Sequence, residues 1–83
     1  MYICPICGYT ALEELPWEDD GQTPSFTICD CCGVEFGYED ATQKGKSKYR
    51  DQWIASGGKW FNEAKRPENW DMKDQLKNIG VDL

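Results

Sequence analysis

Eighty-three residues with a formal charge of −6 and no histidine describe one small domain without a histidine base or a Cys/His metal site. No run approaches the ~18 apolar residues of a membrane span. The charge is divided: residues 1–40 carry nine carboxylates and no Lys or Arg, −9, whereas residues 41–83 carry all nine cations against six carboxylates, +3. So acidic a first half repels phosphate backbones and disfavours a nucleic-acid partner.

A core of this size supplies only ~3–5 kcal/mol of net stability, so a covalent or metal staple is expected. The five cysteines are the candidates, and eleven aromatics add large apolar groups. Tyr2 and Ile3 lead straight into Cys4 with no room for a charged and apolar leader, which predicts a cytoplasmic chain with reduced thiols. In that setting a Cys-x-x-Cys pair reads as metal ligands before it reads as a disulfide.

Residues 2–15 alternate loosely around Cys4-Pro5-Ile6-Cys7-Gly8, which predicts a short hairpin with the cysteine pair at its turn. Pro16, Asp20-Gly21 and Pro24 break regular structure, and the acidic "WEDDG" between them reads as a solvated turn. It lacks the D-x-D-x-D-G spacing of a calcium loop. "FTI", residues 26–28, and "VEFGY", residues 34–38, predict strands on either side of the second cysteine group.

After a connector at 41–47 with a short basic run, Ser47 is the expected N-cap of a helix through "KYRDQWIAS". Tyr49, Trp53 and Ile54 share one side of it, and Gly57 lies at its C-terminal end. "KWFNEAKRPE" is irregular, with Pro67 barring helix continuation. A last helix is capped by Asp71, with Met72, Leu76 and Ile79 recurring at helical spacing. It ends at a left-handed Gly80, with Val81 folding back on Leu76. Trp53, Trp60, Phe61 and Trp70 are expected in the core, with "KWF" the segment best placed to show an aromatic to a partner.

The specific signal is the repeat "CPICG" and "CDCCG". Four thiolates surround one tetrahedral ion when two such turns face each other. Gly follows the last ligand in both, because the chain must turn back there with positive φ. The register Gly8 to Gly33 selects Cys4, Cys7, Cys29 and Cys32 as metal ligands and leaves Cys31 over. Cys31 is expected to be an exposed bystander thiol, with nearby negative charge opposing high reactivity.

"YICPICGY" with "ICDCCGVEFGYED" resembles rubredoxins and the broader two-knuckle zinc ribbons, over residues 1–40. The resemblance implies the same four ligands. Rubredoxins usually carry an aromatic where this chain has Thr27, a proline where it has Asp30, and a loop aromatic where it has Ala11. Those departures favour zinc, with iron the alternative. The chain also resembles bacterial cysteine-rich proteins of the CPCC type, although "WEDDG" here precedes the second cysteine group.

The expected fold is small α+β: a rubredoxin-like or zinc-ribbon knuckle of short antiparallel strands in residues 1–42, with two C-terminal helices in residues 43–83 packed on it as one domain. No catalytic residue is identified, because four protein thiolates leave no open metal position. The expected function is a non-enzymatic zinc protein serving as a protein-interaction or regulatory module. An iron electron carrier is the alternative, followed by a nucleic-acid-binding ribbon.

Overall fold

The computed structural model describes residues 1–83. Its regular elements lie in the second half: α1 (Gln43–Ala55), a 3₁₀ turn at Glu63–Lys65, and α2 (Met72–Leu76), which tightens into a 3₁₀ turn at Lys77–Ile79. No helix is long and apolar enough to cross a membrane.

The expected strands are absent, which corrects the α+β assignment with an antiparallel knuckle. Residues 1–40 form no sheet, only three isolated antiparallel bridges: Tyr2 with Leu12, Trp17 with Pro24, and Ile28 with Glu35. The chain is mostly irregular, with two short helices. Two of the bridges fail to grow for a local reason. Pro24 has no N–H to extend a ladder. Phe26 takes a left-handed φ of 59°, which kinks the "FTI" segment at its first residue. Gly37 at φ 102° turns "VEFGY" back on itself, so that Tyr38 N–H donates to Glu35 O. High β-propensity cannot produce a strand when a turn recurs every few residues.

The helices follow their sequence signals more closely. Helix α1 is capped five residues earlier than expected: Thr42, not Ser47, is extended and accepts from Gly45 N at 2.9 Å. Gly45 in the first turn hides this start, since glycine disfavours helix. Glycine is needed there, because a Cβ would stand 2.5 Å from the Glu39 carbonyl oxygen. Trp53 is buried, and Tyr49 and Ile54 are half-buried. At the C-terminus Gly58 N–H reaches Trp53 O and Gly57 N–H reaches Ile54 O, a Schellman motif. Helix α2 is capped by Asp71, which accepts from Lys73 N at 2.9 Å. It ends through the same pair of bonds, Val81 to Leu76 and Gly80 to Lys77, as its sequence predicts.

The core is organised around sulfur. Five of its thirteen buried apolar residues are the cysteines, joined by Ile6, Tyr9, Leu12, Val34, Phe36, Trp53, Trp60 and Leu76. Trp60 stands edge-on to both Tyr9 and Trp70, at centroid distances of 5.6 and 5.3 Å. Trp53 meets Trp70 at 6.1 Å. This aromatic stack joins the first cysteine turn to the C-terminal half. Phe61 lies outside it, 61% exposed.

One buried carboxylate was not legible in the sequence. Asp40 is fully buried, accepting from Trp17 Nε1 at 2.8 Å and from Gly37 N at 2.7 Å. It ties the 16–25 loop to the turn after the second cysteine group. Asp20 in "WEDDG" organises its own loop, accepting from the backbone of Gln22 and Thr23 and from the Thr23 hydroxyl. These bonds, the Gln22 amide foremost, hold its carboxyl below the ordinary range.

Candidate metal centre

The two cysteine turns have the same backbone closure. In the first, Cys4 N–H donates to Tyr9 O and Gly8 N–H to Cys4 O. In the second, Cys29 N–H donates to Val34 O and Gly33 N–H to Cys29 O. Gly8 and Gly33 sit at φ 83° and 79°, the left-handed turn that a residue without Cβ takes at least cost.

The turns face each other and bring together the Sγ atoms of Cys4, Cys7, Cys29 and Cys32, all within 4.8 Å of one another. Cys4 Sγ lies 4.0 Å from Cys32 Sγ, and Cys7 Sγ lies 3.8 Å from Cys29 Sγ. A tetrahedron with metal–sulfur bonds of ~2.3 Å has sulfur–sulfur edges of about 3.8 Å. The two cross-turn pairs therefore have the spacing of ligands already gathered around an ion, and a donor set of four thiols suits a thiophilic metal. All four side chains are buried.

Cys31 is outside this set, as the glycine register requires, but its surroundings differ from expectation. It is fully buried in the core and its sulfur accepts from Gln75 Nε2 at 3.3 Å. The expectation of an exposed thiol is overturned. The residue after Asp30 points inward, because the segments behind it close over the turn: Phe61 N–H donates to Cys31 O and Asn62 N–H to Asp30 O, both at 2.8 Å.

The two helices hold the turns from outside. On α1, Tyr49 donates its hydroxyl to Cys32 O at 2.8 Å. Its neighbour Arg50 donates from Nε to Ile6 O at 2.7 Å and from Nη2 to Pro5 O at 2.8 Å. Adjacent residues of one helix thus grip both turns. Near the C-terminus, Gln75 Nε2 donates to Cys7 O and Asn78 Nδ2 to Gly8 O, each at 3.0 Å. The turns expose carbonyls that their own backbone cannot pair, and the helices supply the donors. Sequence reading missed these four side chains, because nothing in a local pattern marks a donor for a carbonyl some 17 to 70 residues away.

The four adjacent thiols share protons unequally. Cys29 is held well below the usual thiol range because the S–H groups of Cys32, Cys4 and Cys7 donate to its thiolate. Cys7 and Cys32 are pushed well above it, chiefly because each donates its proton to Cys29. Burial raises Tyr9 and Tyr49 as well, helped at Tyr9 by the charge of Asp30 and the cysteines and at Tyr49 by that of the cysteines and Glu39.

Two proteins of Bacillus subtilis (strain 168) are similar to this chain. The uncharacterised protein YozI is 34% identical over 92 residues, covering 93% of this chain and 76% of YozI. The uncharacterised protein YoaQ is 33% identical over 91 residues, covering 93% of this chain and 72% of YoaQ. No family model matches the chain, so the zinc-ribbon and rubredoxin resemblances gain no support from one. No solved structure matches it.

Proposed function

The chain belongs to the family of the Bacillus subtilis proteins YozI and YoaQ, and we propose that it is a small, non-enzymatic zinc protein acting as an interaction or regulatory module. One observation carries the metal reading: four buried cysteine sulfurs within 4.8 Å of one another, on two turns of identical backbone closure. Cys4, Cys7, Cys29 and Cys32 would hold the ion, which would supply a crosslink between two turns that have no sheet to join them. Four protein thiolates leave no place for substrate, which supports a structural rather than catalytic role. Zinc is favoured over iron by Thr27, Asp30 and Ala11, where rubredoxins usually carry other residues. A cytoplasmic location and a protein partner complete the reading, the second supported by the acidic first half of the chain.

Metal analysis of protein purified from its native host tests this directly. The expected result is one zinc per chain and no visible absorption. Stoichiometric iron with a red oxidised form would make the chain a one-electron carrier instead. Protein free of both metals, with its thiols reduced, would remove the metal reading.

A further inference from the structure

A groove of about 370 Å³ runs between the segment ending the first cysteine hairpin and the segment entering the second turn. Leu12 and Ile28 are its aliphatic lining, Glu13, Glu14 and Asp30 line it with carboxylates, and Lys65 is its only cation. We propose that this groove docks an extended, Lys/Arg-bearing segment of a partner protein. The proposal rests on the interaction-module reading above and names the chemistry of the partner.

Three observations converge on that occupant. Ile28 is 46% exposed, although it enters a turn whose next residue, Cys29, is fully buried. Its backbone is also free. Thr27 O and Cys29 N are paired towards residues 34–36, whereas the amide and carbonyl of Ile28 make no hydrogen bond within the chain. Alternation along an extended segment directs them to the opposite edge. Across the groove the amides and carbonyls of Glu13 and Glu14 are also unpaired. The free amide and carbonyl of Ile28 give an extended guest one main-chain anchor, since Asp30 O beyond it is taken by Asn62 N–H, and the guest's side chains set specificity.

Charge selects which guest. The carboxylates stand in the half of the chain that carries −9 and no cation of its own. They do not form a metal site, since the four cysteines are the only group whose ligand atoms converge. A guest with aliphatic side chains against the Leu12–Ile28 lining and cations towards Glu13, Glu14 and Asp30 satisfies lining, carboxylates and backbone together.

The test is peptide display against the full-length, zinc-loaded protein, with bound metal measured separately. The expected pool is rich in Lys or Arg alternating with aliphatic residues. The affinity of a selected peptide should fall roughly three- to tenfold in Glu13→Gln/Glu14→Gln, from the loss of two exposed ion pairs. It should fall further as salt rises, and drop in Ile28→Ser. All three side chains are exposed, so neither variant challenges folding. Amide shifts on titration should centre on Ile28 and Asp30. No enrichment, a pool without basic bias, an affinity indifferent to these variants, or shifts centred elsewhere would overturn the proposal. Failure to bind zinc is read out by the metal measurement and counts against the four-cysteine metal reading instead.

Discussion

Gln75 donates from its side-chain amide to the carbonyl of Cys7, 68 residues earlier, at 3.0 Å. The same nitrogen reaches Cys31 Sγ at 3.3 Å, and the amide oxygen accepts from Trp70 Nε1 at 2.8 Å. One half-buried side chain therefore joins the first cysteine turn, the spare cysteine and the aromatic stack. Gln75→Leu fills similar space but leaves the Cys7 carbonyl and the Trp70 indole unpaired. The expected loss is about 1–3 kcal/mol, read as a lower urea midpoint of the metal-loaded chain. Gln75→Glu should be at least as harmful, because it sets a carboxylate oxygen against a carbonyl.

Gly8 and Gly33 occupy equivalent turns, yet alanine should not cost the same at each. Positive φ penalises both by roughly 1–2 kcal/mol. A Cβ at Gly33 would meet Phe61 side-chain atoms at 3.2–3.3 Å, and that exposed ring can move. A Cβ at Gly8 would collide with the backbone carbonyl of Gln75, which α2 holds in place. Gly33→Ala should melt a few degrees lower, whereas Gly8→Ala should displace α2 and lose markedly more, by thermal melting and near-UV circular dichroism.

Serine substitutions should separate the five cysteines. Any of Cys4→Ser, Cys7→Ser, Cys29→Ser or Cys32→Ser removes one corner of the sulfur tetrahedron and should abolish stoichiometric metal binding. Cys31→Ser should keep full stoichiometry, since its sulfur lies outside the set. Loss of metal from the Cys31 variant would show that the glycine register misassigns the ligands.

Metal binding should strengthen with pH and fail in acid. Cys7 and Cys32 hold their protons above the usual thiol range, so these protons must leave as the ion enters. Lowering pH restores them and expels the metal. Chelator competition across neutral to acidic pH should show affinity falling with each step, together with proton release on loading. A pH-independent affinity would be incompatible with four thiol ligands.

Tyr49 carries two expectations of different sign. Its hydroxyl donates to Cys32 O, so Tyr49→Phe should lose about 0.5–1.5 kcal/mol at neutral pH. Its folded pKa lies above its ordinary value of 10.0, through burial and the nearby cysteine charge. The neutral form is thus favoured in the fold. This stabilisation is complete below the unfolded pKa of ~10 and is lost as pH rises through the folded value. Denaturant midpoints should decline above about pH 10 in the native chain and decline less in Tyr49→Phe.

Motifs governed by near neighbours were legible in the chain. The matched glycines after Cys7 and Cys32 singled out the four cysteines that the structure brings together. Asp71, Gly57 and Gly80 marked helix ends because each acts through bonds spanning a few residues. Strand content was misread for the complementary reason. Propensity at Phe26–Ile28 and Val34–Tyr38 measures how side chains suit a pleated surface, but a ladder needs consecutive paired residues. Pro24, the left-handed Phe26 and Gly37 leave one bridge where a strand was expected.

By itself, then, the sequence determined the turn geometry, the set of convergent thiols and the charge that divides the chain in two. Only the tertiary structure decided that Cys31 is buried rather than exposed, and that Asp40 is a buried acceptor for Trp17. It alone decided that Tyr49, Arg50, Gln75 and Asn78 serve the carbonyls of the cysteine turns. Local torsion preferences are written in neighbouring residues. The pairing of a turn carbonyl with a distant donor is set by how the helices pack, and a single chain read in order carries no mark of it.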